Sequence, residues 1–159
     1  MGKPTARVYV DGFNLYHRAL KGTKGKWLDL EQFTVHNVRM ALSDPGAIPR
    51  TVEVIKTEEK GSDVNLASHL LLDACQSRAD FYAIATNDSD LAEPIRMVKK
   101  ELGKPVGILY PSDRLSKVLL GCQPDLVRQI RRGSVSASQF PDVVKFSDGR
   151  SVCKPEEWA

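Results

Sequence analysis

The stretch Phe81-Tyr82-Ala83-Ile84-Ala85-Thr86-Asn87-Asp88-Ser89-Asp90-Leu91 decides how the rest of the chain is read. Its first five residues form a short apolar and aromatic run, the composition of a strand. Residues Thr86 to Asp90 then turn the chain, and the pattern predicts a helix from Leu91 to about Leu102, closed by Gly103. Pro94 falls in the first turn of that helix, where proline is tolerated. Two carboxylates, Asp88 and Asp90, thus stand where a strand gives way to a helix.

Outward from there, the same junction recurs. Ala6–Val10 reads as a buried strand, Asp11-Gly12 breaks it, and Phe13–Leu20 reads as a short helix. Asp29 is an expected N-cap for a helix running through Leu30, Phe33, Val38 and Leu42, stopped by Ser43-Asp44-Pro45-Gly46. Thr51–Ile55 is the second strand. Ser62 is the expected cap of the next helix, whose apolar positions Val64, Ala67, Leu71, Ala74 and Cys75 keep a three-and-four spacing. Asp63 lies at its start. Pro105–Tyr110 and Asp125–Ile130 complete the strands, with a short helix from Pro111-Ser112-Asp113 through Leu120 between them. From Gly133 an irregular tail is expected, with Trp158 docking it on the body. Strand and helix alternating over this length predict a layered α/β fold with a mainly parallel sheet.

In a parallel sheet, Asp11, Asp63, Asp88 and Asp90 converge on one edge, where open α/β folds bind their ligands. A pair of carboxylates at about 4 Å costs roughly 4 kcal/mol at an effective dielectric near 20. A divalent cation as the intended occupant offsets that repulsion. Four aspartates without a nearby His/Cys cluster fit a hard cation such as Mg²⁺ better than zinc. Each carboxylate also has a plainer role: a turn before Gly12 for Asp11, a favourable helix dipole for Asp63, and helix caps for Asp88 and Asp90. One cap does not require two carboxylates.

The bulk properties bound the alternatives. The chain has 159 residues, 42% hydrophobic and 27% charged, as in an ordinary globular domain. No apolar run approaches a membrane span. The beginning Met1-Gly2-Lys3-Pro4-Thr5 lacks the apolar core of a secretory signal, so a cytoplasmic protein without a membrane partner is expected. Cys75, Cys122 and Cys153 are odd in number and far apart, the pattern of reduced thiols. A net charge of +3 permits a polyanionic partner without demanding one. The positive charge gathers at Arg18, Lys21, Lys24 and Lys26 near the first aspartate, and again at Arg128, Arg131 and Arg132.

Taken in order, Val10-Asp11-Gly12-Phe13-Asn14-Leu15, Lys60-Gly61-Ser62-Asp63-Val64 and Thr86-Asn87-Asp88-Ser89-Asp90-Leu91 resemble the NYN domain family, more specifically its bacterial LabA-like (DUF88) branch within the PIN-like nuclease superfamily. Each segment alone is weak, and their order gives the specificity. The resemblance runs from about Val8 to Ile130, and Ser138-Gln139-Phe140-Pro141 looks like the C-terminal extension of some bacterial members. It implies a PIN-like three-layer α/β/α sandwich over residues 1–132, with residues 133–159 packing on the same domain. It also implies a Mg²⁺- or Mn²⁺-dependent ribonuclease, with Asp11, Asp63, Asp88 and Asp90 as catalytic and metal-site residues and Asn14 at the rim. Leu91, His69 and Ser62 depart from the common pattern, and His69 leaves metal preference and proton transfer open.

Other candidates are secondary. Ser112 and Lys60 are candidate phosphate contacts, beside plainer readings as a helix cap and a solvated lysine. Phe13 and Tyr16 could stack bases, but core packing is the preferred reading. The leading expectation is an endoribonuclease acting on single-stranded or structured RNA. The alternatives are an RNA-binding regulatory module with the same fold but little turnover, and a phosphoesterase on a smaller phosphate. A homodimer is compatible with the sequence.

Overall fold

Val8, Tyr9 and Val10 are fully buried in the first strand, and Tyr82, Ala83, Ile84 and Ala85 are fully buried in the third. Strands covered on both faces belong to a parallel sheet between two helical layers. The computed structural model describes residues 4–39, 52–56 and 61–158. In chain order the elements are β1 (Ala6–Val10), α1 (Gly12–Leu15), which continues as a π-helical turn (Tyr16–Leu20), α2 (Leu30–Arg39) and β2 (Val52–Lys56). Then follow α3 (Ser62–Cys75), β3 (Phe81–Ala85), a 3-10 turn (Ser89–Leu91), α4 (Ala92–Arg96) and a second π-helical turn (Met97–Glu101). The remainder comprises β4 (Val106–Tyr110), α5 (Lys117–Leu120), β5 (Leu126–Gln129), α6 (Arg132–Ala137), β6 (Val143–Lys145), β7 (Ser151–Cys153) and a last 3-10 turn (Glu156–Trp158).

The five main strands pair in parallel in the order β2-β1-β3-β4-β5. This is a doubly wound order, with its reversal between β1 and β3. One layer of core joins Tyr9, Tyr82, Ile84 and Ile108 of the sheet to Leu66 and Leu70 of α3 and Ile95 of α4. The other joins Val8, Val10, Ala83 and Ala85 to Leu15, Leu20, Phe33 and Val135 on the α1, α2 and α6 side. The expected three-layer α/β/α sandwich with a parallel sheet is what the chain forms. Gly107 in β4 has a structural reason: a Cβ there would lie 2.8 Å from the Phe81 ring.

A buried polar network pins α3 to the sheet. The Tyr9 hydroxyl donates to Asp73 at 2.8 Å, and Arg7 and Arg78 pair with the same carboxylate. The Tyr82 hydroxyl donates to the Asp73 carbonyl at 3.0 Å and accepts from the Ala79 N–H at 3.1 Å. Burial raises the Asp73 carboxyl, but the hydrogen bonds from Tyr9 and Arg7 outweigh it and hold the group below the ordinary range. Burial and the Asp73 bond push the Tyr9 phenol far up, so it remains a donor.

Three expectations are corrected. Ser62 does not cap α3: Gly61 occupies the cap position at φ +76°, and Ser62 is the first helical residue. The helix expected from Pro111 is confined to Lys117–Leu120. Asn87 holds the preceding segment out of helix: its Nδ2 donates to Ser112 Oγ and to the Arg114 carbonyl, both at 3.1 Å, while its Oδ1 accepts from the Ser116 N–H at 2.8 Å. The tail is not irregular either, since it forms α6 and an antiparallel β6–β7 hairpin. Trp158 does reach the body, with its ring 5.9 Å from Trp27, whose indole N–H donates to the Pro141 carbonyl at 2.9 Å. The stop at Ser43–Gly46 and the Lys60 side chain lie outside the described residues.

Candidate active site

The register of β1 against β3 builds the centre. Val10 is paired with Ala85, so the next residues, Asp11 and Thr86, emerge side by side at the sheet's C-terminal edge. The Thr86 hydroxyl donates to Asp11 Oδ2 at 2.8 Å, and the Asn14 N–H donates to Asp11 Oδ1 at 2.9 Å. Asp11 is 3% exposed and is the N-cap of α1. Its turn-forming role is therefore real, and its charge sits at the sheet's reversal point, the usual ligand position in such folds.

Asp88 and Asp90 follow on the β3 side. The Asp88 N–H donates to Thr86 Oγ1 at 3.0 Å, and Asp88 Oδ1 accepts from the Asp90 N–H at 3.0 Å. Asp88 thus caps the 3-10 turn, while Asp90 is exposed. The position of Asp63 at the start of α3 brings it into the same field. Burial, then the charges of Asp11, Asp88 and Asp90, push its carboxyl above the ordinary range, against a smaller effect of a Ser62 hydrogen bond. The four aspartates therefore share one electrostatic neighbourhood. They do not form a ready-made cage: among the described residues no three His, Cys, Asp or Glu side chains are close enough to hold a metal ion.

The polar rim is tied to the centre through Asn87. Asn14 Oδ1 accepts from the Asn87 N–H at 3.1 Å, so Asn14 bridges Asp11 and the β3 loop. Ser112 Oγ accepts from Asn87 Nδ2, which leaves the serine's own hydroxyl hydrogen available to another acceptor. Sequence reasoning assigned no role to Thr86 or Asn87. The signal was their position beside Asp88, and it gains meaning only once β1 and β3 are known to be neighbours.

Phe13 and Tyr16 are not in the core, contrary to the preferred reading, because α1 buries Leu15 instead. Phe13 is 54% exposed, and its ring packs at 4.3 Å on His17. Phe13, Asn14, His17, Arg18 and Asp88 line one cavity of about 430 Å³. His69 is exposed on α3. The three cysteines are free thiols, with Cys122 buried and Cys75 and Cys153 exposed. Among the described residues, no helix is long and apolar enough to cross a membrane.

A family model described as the NYN domain matches residues 2–123. A 6-hydroxy-3-succinoylpyridine 3-monooxygenase from Pseudomonas putida is 28% identical over 90% of this chain and 49% of its own length. The chain thus spans about half the length of that relative. A solved protein of unknown function from Vibrio parahaemolyticus superposes with a TM-score of 0.50 at 16% identity, covering 81% of this chain and 94% of that one. The last likeness bears on the fold alone.

Proposed function

The chain belongs to the NYN domain family of PIN-like proteins, whose members are generally nucleases, and from that membership we propose a divalent-metal-dependent ribonuclease that hydrolyses RNA phosphodiester bonds. Within the family we place it in the LabA-like branch, as a cytoplasmic enzyme. The observation that carries the reading is the Thr86 hydroxyl at the β1/β3 reversal, which donates to Asp11 and accepts from the Asp88 N–H and so holds two of the four aspartates together.

The donor chemistry fits Mg²⁺ or Mn²⁺. Such cations are commonly held by one or two carboxylates, with waters and substrate phosphate completing the shell, so a preformed cage is not required. Asp11 and Asp88 would hold the ion, with Asp63 and Asp90 adding charge around it. When bound, the ion supplies charge neutralisation at the phosphate and lowers the pKa of a coordinated water. The chain's own residues do the positioning. Thr86 and the Asn14 N–H fix the Asp11 carboxylate, and Asn87 fixes Asn14 and Ser112. The Ser112 hydroxyl would donate to a phosphate oxygen.

The test is incubation of the purified protein with labelled RNA and DNA, with Mg²⁺, Mn²⁺ or chelator. Metal-dependent RNA cleavage is expected. RNA binding without cleavage, undiminished by simultaneous Asp11→Asn and Asp88→Asn, would instead mark a regulatory module with little turnover. The monooxygenase name belongs to the Pseudomonas relative. Pyridine-dependent oxygen consumption without RNA cleavage would favour that chemistry here.

A further inference from the structure

We propose that the segment after residue 123 adds a second binding site to the nuclease domain: a basic groove that holds the phosphodiester backbone flanking the scissile bond. This rests on the ribonuclease reading and extends it. The groove begins beside the acidic centre, because Arg18 lines both the cavity containing Asp88 and a second cavity of about 430 Å³. In that second cavity Arg18 and Lys21 face Arg131 and Arg132, with Asp113 as the one carboxylate among the described lining residues. A third cavity, of about 480 Å³, shares the Thr23, Arg132 and Val135 wall and adds Lys24 and Lys154, with no carboxylate among the described lining residues. One side of the groove is the loop after the first helix. The other combines Pro111, Ser112 and Asp113 with Gln129, Arg131, Arg132 and Lys154, the last four beyond the stretch that the NYN model matches.

The electrostatics call for a polyanion. Among the described residues none of Arg18, Lys21, Lys24, Arg131, Arg132 and Lys154 has an ion-pair partner. Five of the six are exposed, and Lys154 is half-buried. Like charges crowded along one groove repel, and a chain of phosphates relieves that repulsion along its length. A compact anion meets only part of the row. Local packing holds the two walls together: Gln139 Nε2 donates to the Gly25 carbonyl at 3.2 Å and to the Val135 carbonyl at 2.8 Å. Gln129 Nε2 donates to the Ser112 carbonyl at 3.0 Å, joining β5 to the loop that carries the candidate phosphate donor. A strand leaving the acidic centre would run past Arg18 and Lys21 toward Arg132, Lys24 and Lys154. One flank of the substrate is therefore gripped more than the other.

The experiment uses the full chain and single-stranded oligoribonucleotides of fixed central sequence, extended on the 5′ or the 3′ side. Affinity is measured in chelator across a salt series, with cleavage measured separately in Mg²⁺ or Mn²⁺. Wild type should gain affinity from extension on one side only. Arg131→Ala with Arg132→Ala should remove that gain, and the log–log salt slope should fall by about 0.7 for each phosphate that the variant no longer neutralises. Lys24→Ala with Lys154→Ala, at the far end, should affect only the longer oligonucleotides, and Arg131→Lys with Arg132→Lys should keep the wild-type slope. RNA cleavage by wild type with the same slope in all variants would overturn the groove while leaving the nuclease reading intact. So would pyrophosphate competing as strongly as a long oligonucleotide, the mark of a compact-anion pocket. Neither binding nor cleavage of RNA by wild type would bring down both.

Discussion

The Thr86 hydroxyl donates to the Asp11 carboxylate at 2.8 Å, joining the ends of β1 and β3 at the reversal point of the sheet. Thr86 is fully buried and its oxygen also accepts from the Asp88 N–H, so one hydroxyl orders two of the four aspartates. Replacing it with an isosteric methyl leaves a buried carboxylate oxygen and an N–H without this partner. Thr86→Val should cost about 1–3 kcal/mol and lower cleavage. Thr86→Ser should recover much of both. Chemical denaturation alongside the cleavage assay checks it, and an unperturbed Thr86→Val protein would contradict the role.

Asp63 should behave in the opposite sense. Its carboxyl is raised, so the folded state holds the proton more tightly than the unfolded chain. Its favourable contribution is complete below the unfolded value and is lost as pH rises through the folded value. Near neutral pH without metal, Asp63→Asn should therefore raise the melting temperature. Adding Mg²⁺ should stabilise wild type more than the variant, by ligand linkage. Calorimetry with and without Mg²⁺ decides it: a metal-free variant less stable than wild type would show a structural carboxylate.

How much of this was legible in the sequence differs element by element. β3 was readable residue for residue because Phe81–Ala85 is an unbroken apolar run between polar turns. The sequence suggests a helix from Pro111, but Asn87, more than 20 residues upstream, captures Ser112, Arg114 and Ser116. No local propensity reports such a partner. The apolar character of Phe13 suggests a core position, yet the face of α1 is set by Leu15 against β1. The aspartates were visible at their junctions, but the order β2-β1-β3, which puts Asp11 beside Thr86, is a tertiary fact.

The Asp73 network gives a stability prediction remote from the centre. Asp73 is fully buried and its carboxyl is depressed on balance, so its stabilisation is present above the unfolded value near 3.9. It is lost as pH falls through the lower folded value. Asp73→Asn should cost about 1.5–3 kcal/mol at neutral pH, because the Tyr9 and Arg78 donors lose their charged acceptor. It should also flatten the loss of stability between neutral pH and strong acid. Urea denaturation across that range measures both, and an unchanged acid profile would be the contrary result.

Gly61 sets the entry to α3 at φ +76°, with no described residue within 4 Å of where a Cβ would stand. The penalty for a side chain there is thus conformational rather than a clash. Gly61→Ala should cost about 1–2 kcal/mol. Because Asp63 follows two residues later, cleavage should fall further than stability alone explains. Gly61→Asn, which tolerates the left-handed region better, should lie between. Equal rates for all three proteins would detach the turn from the site.

The central claim is that these carboxylates run metal-dependent RNA cleavage, and Asp88→Asn tests it most directly. Asparagine keeps an oxygen to accept from the Asp90 N–H, so the turn should survive while the charge is lost. The measurement is the rate of RNA cleavage in Mg²⁺ or Mn²⁺ by wild type and Asp88→Asn, with matched melting curves. The account predicts wild-type cleavage abolished by chelator and reduced by about 100-fold or more in the variant, the scale for removing one group that stabilises developing charge. Cleavage by a well-folded Asp88→Asn protein at the wild-type rate would contradict it.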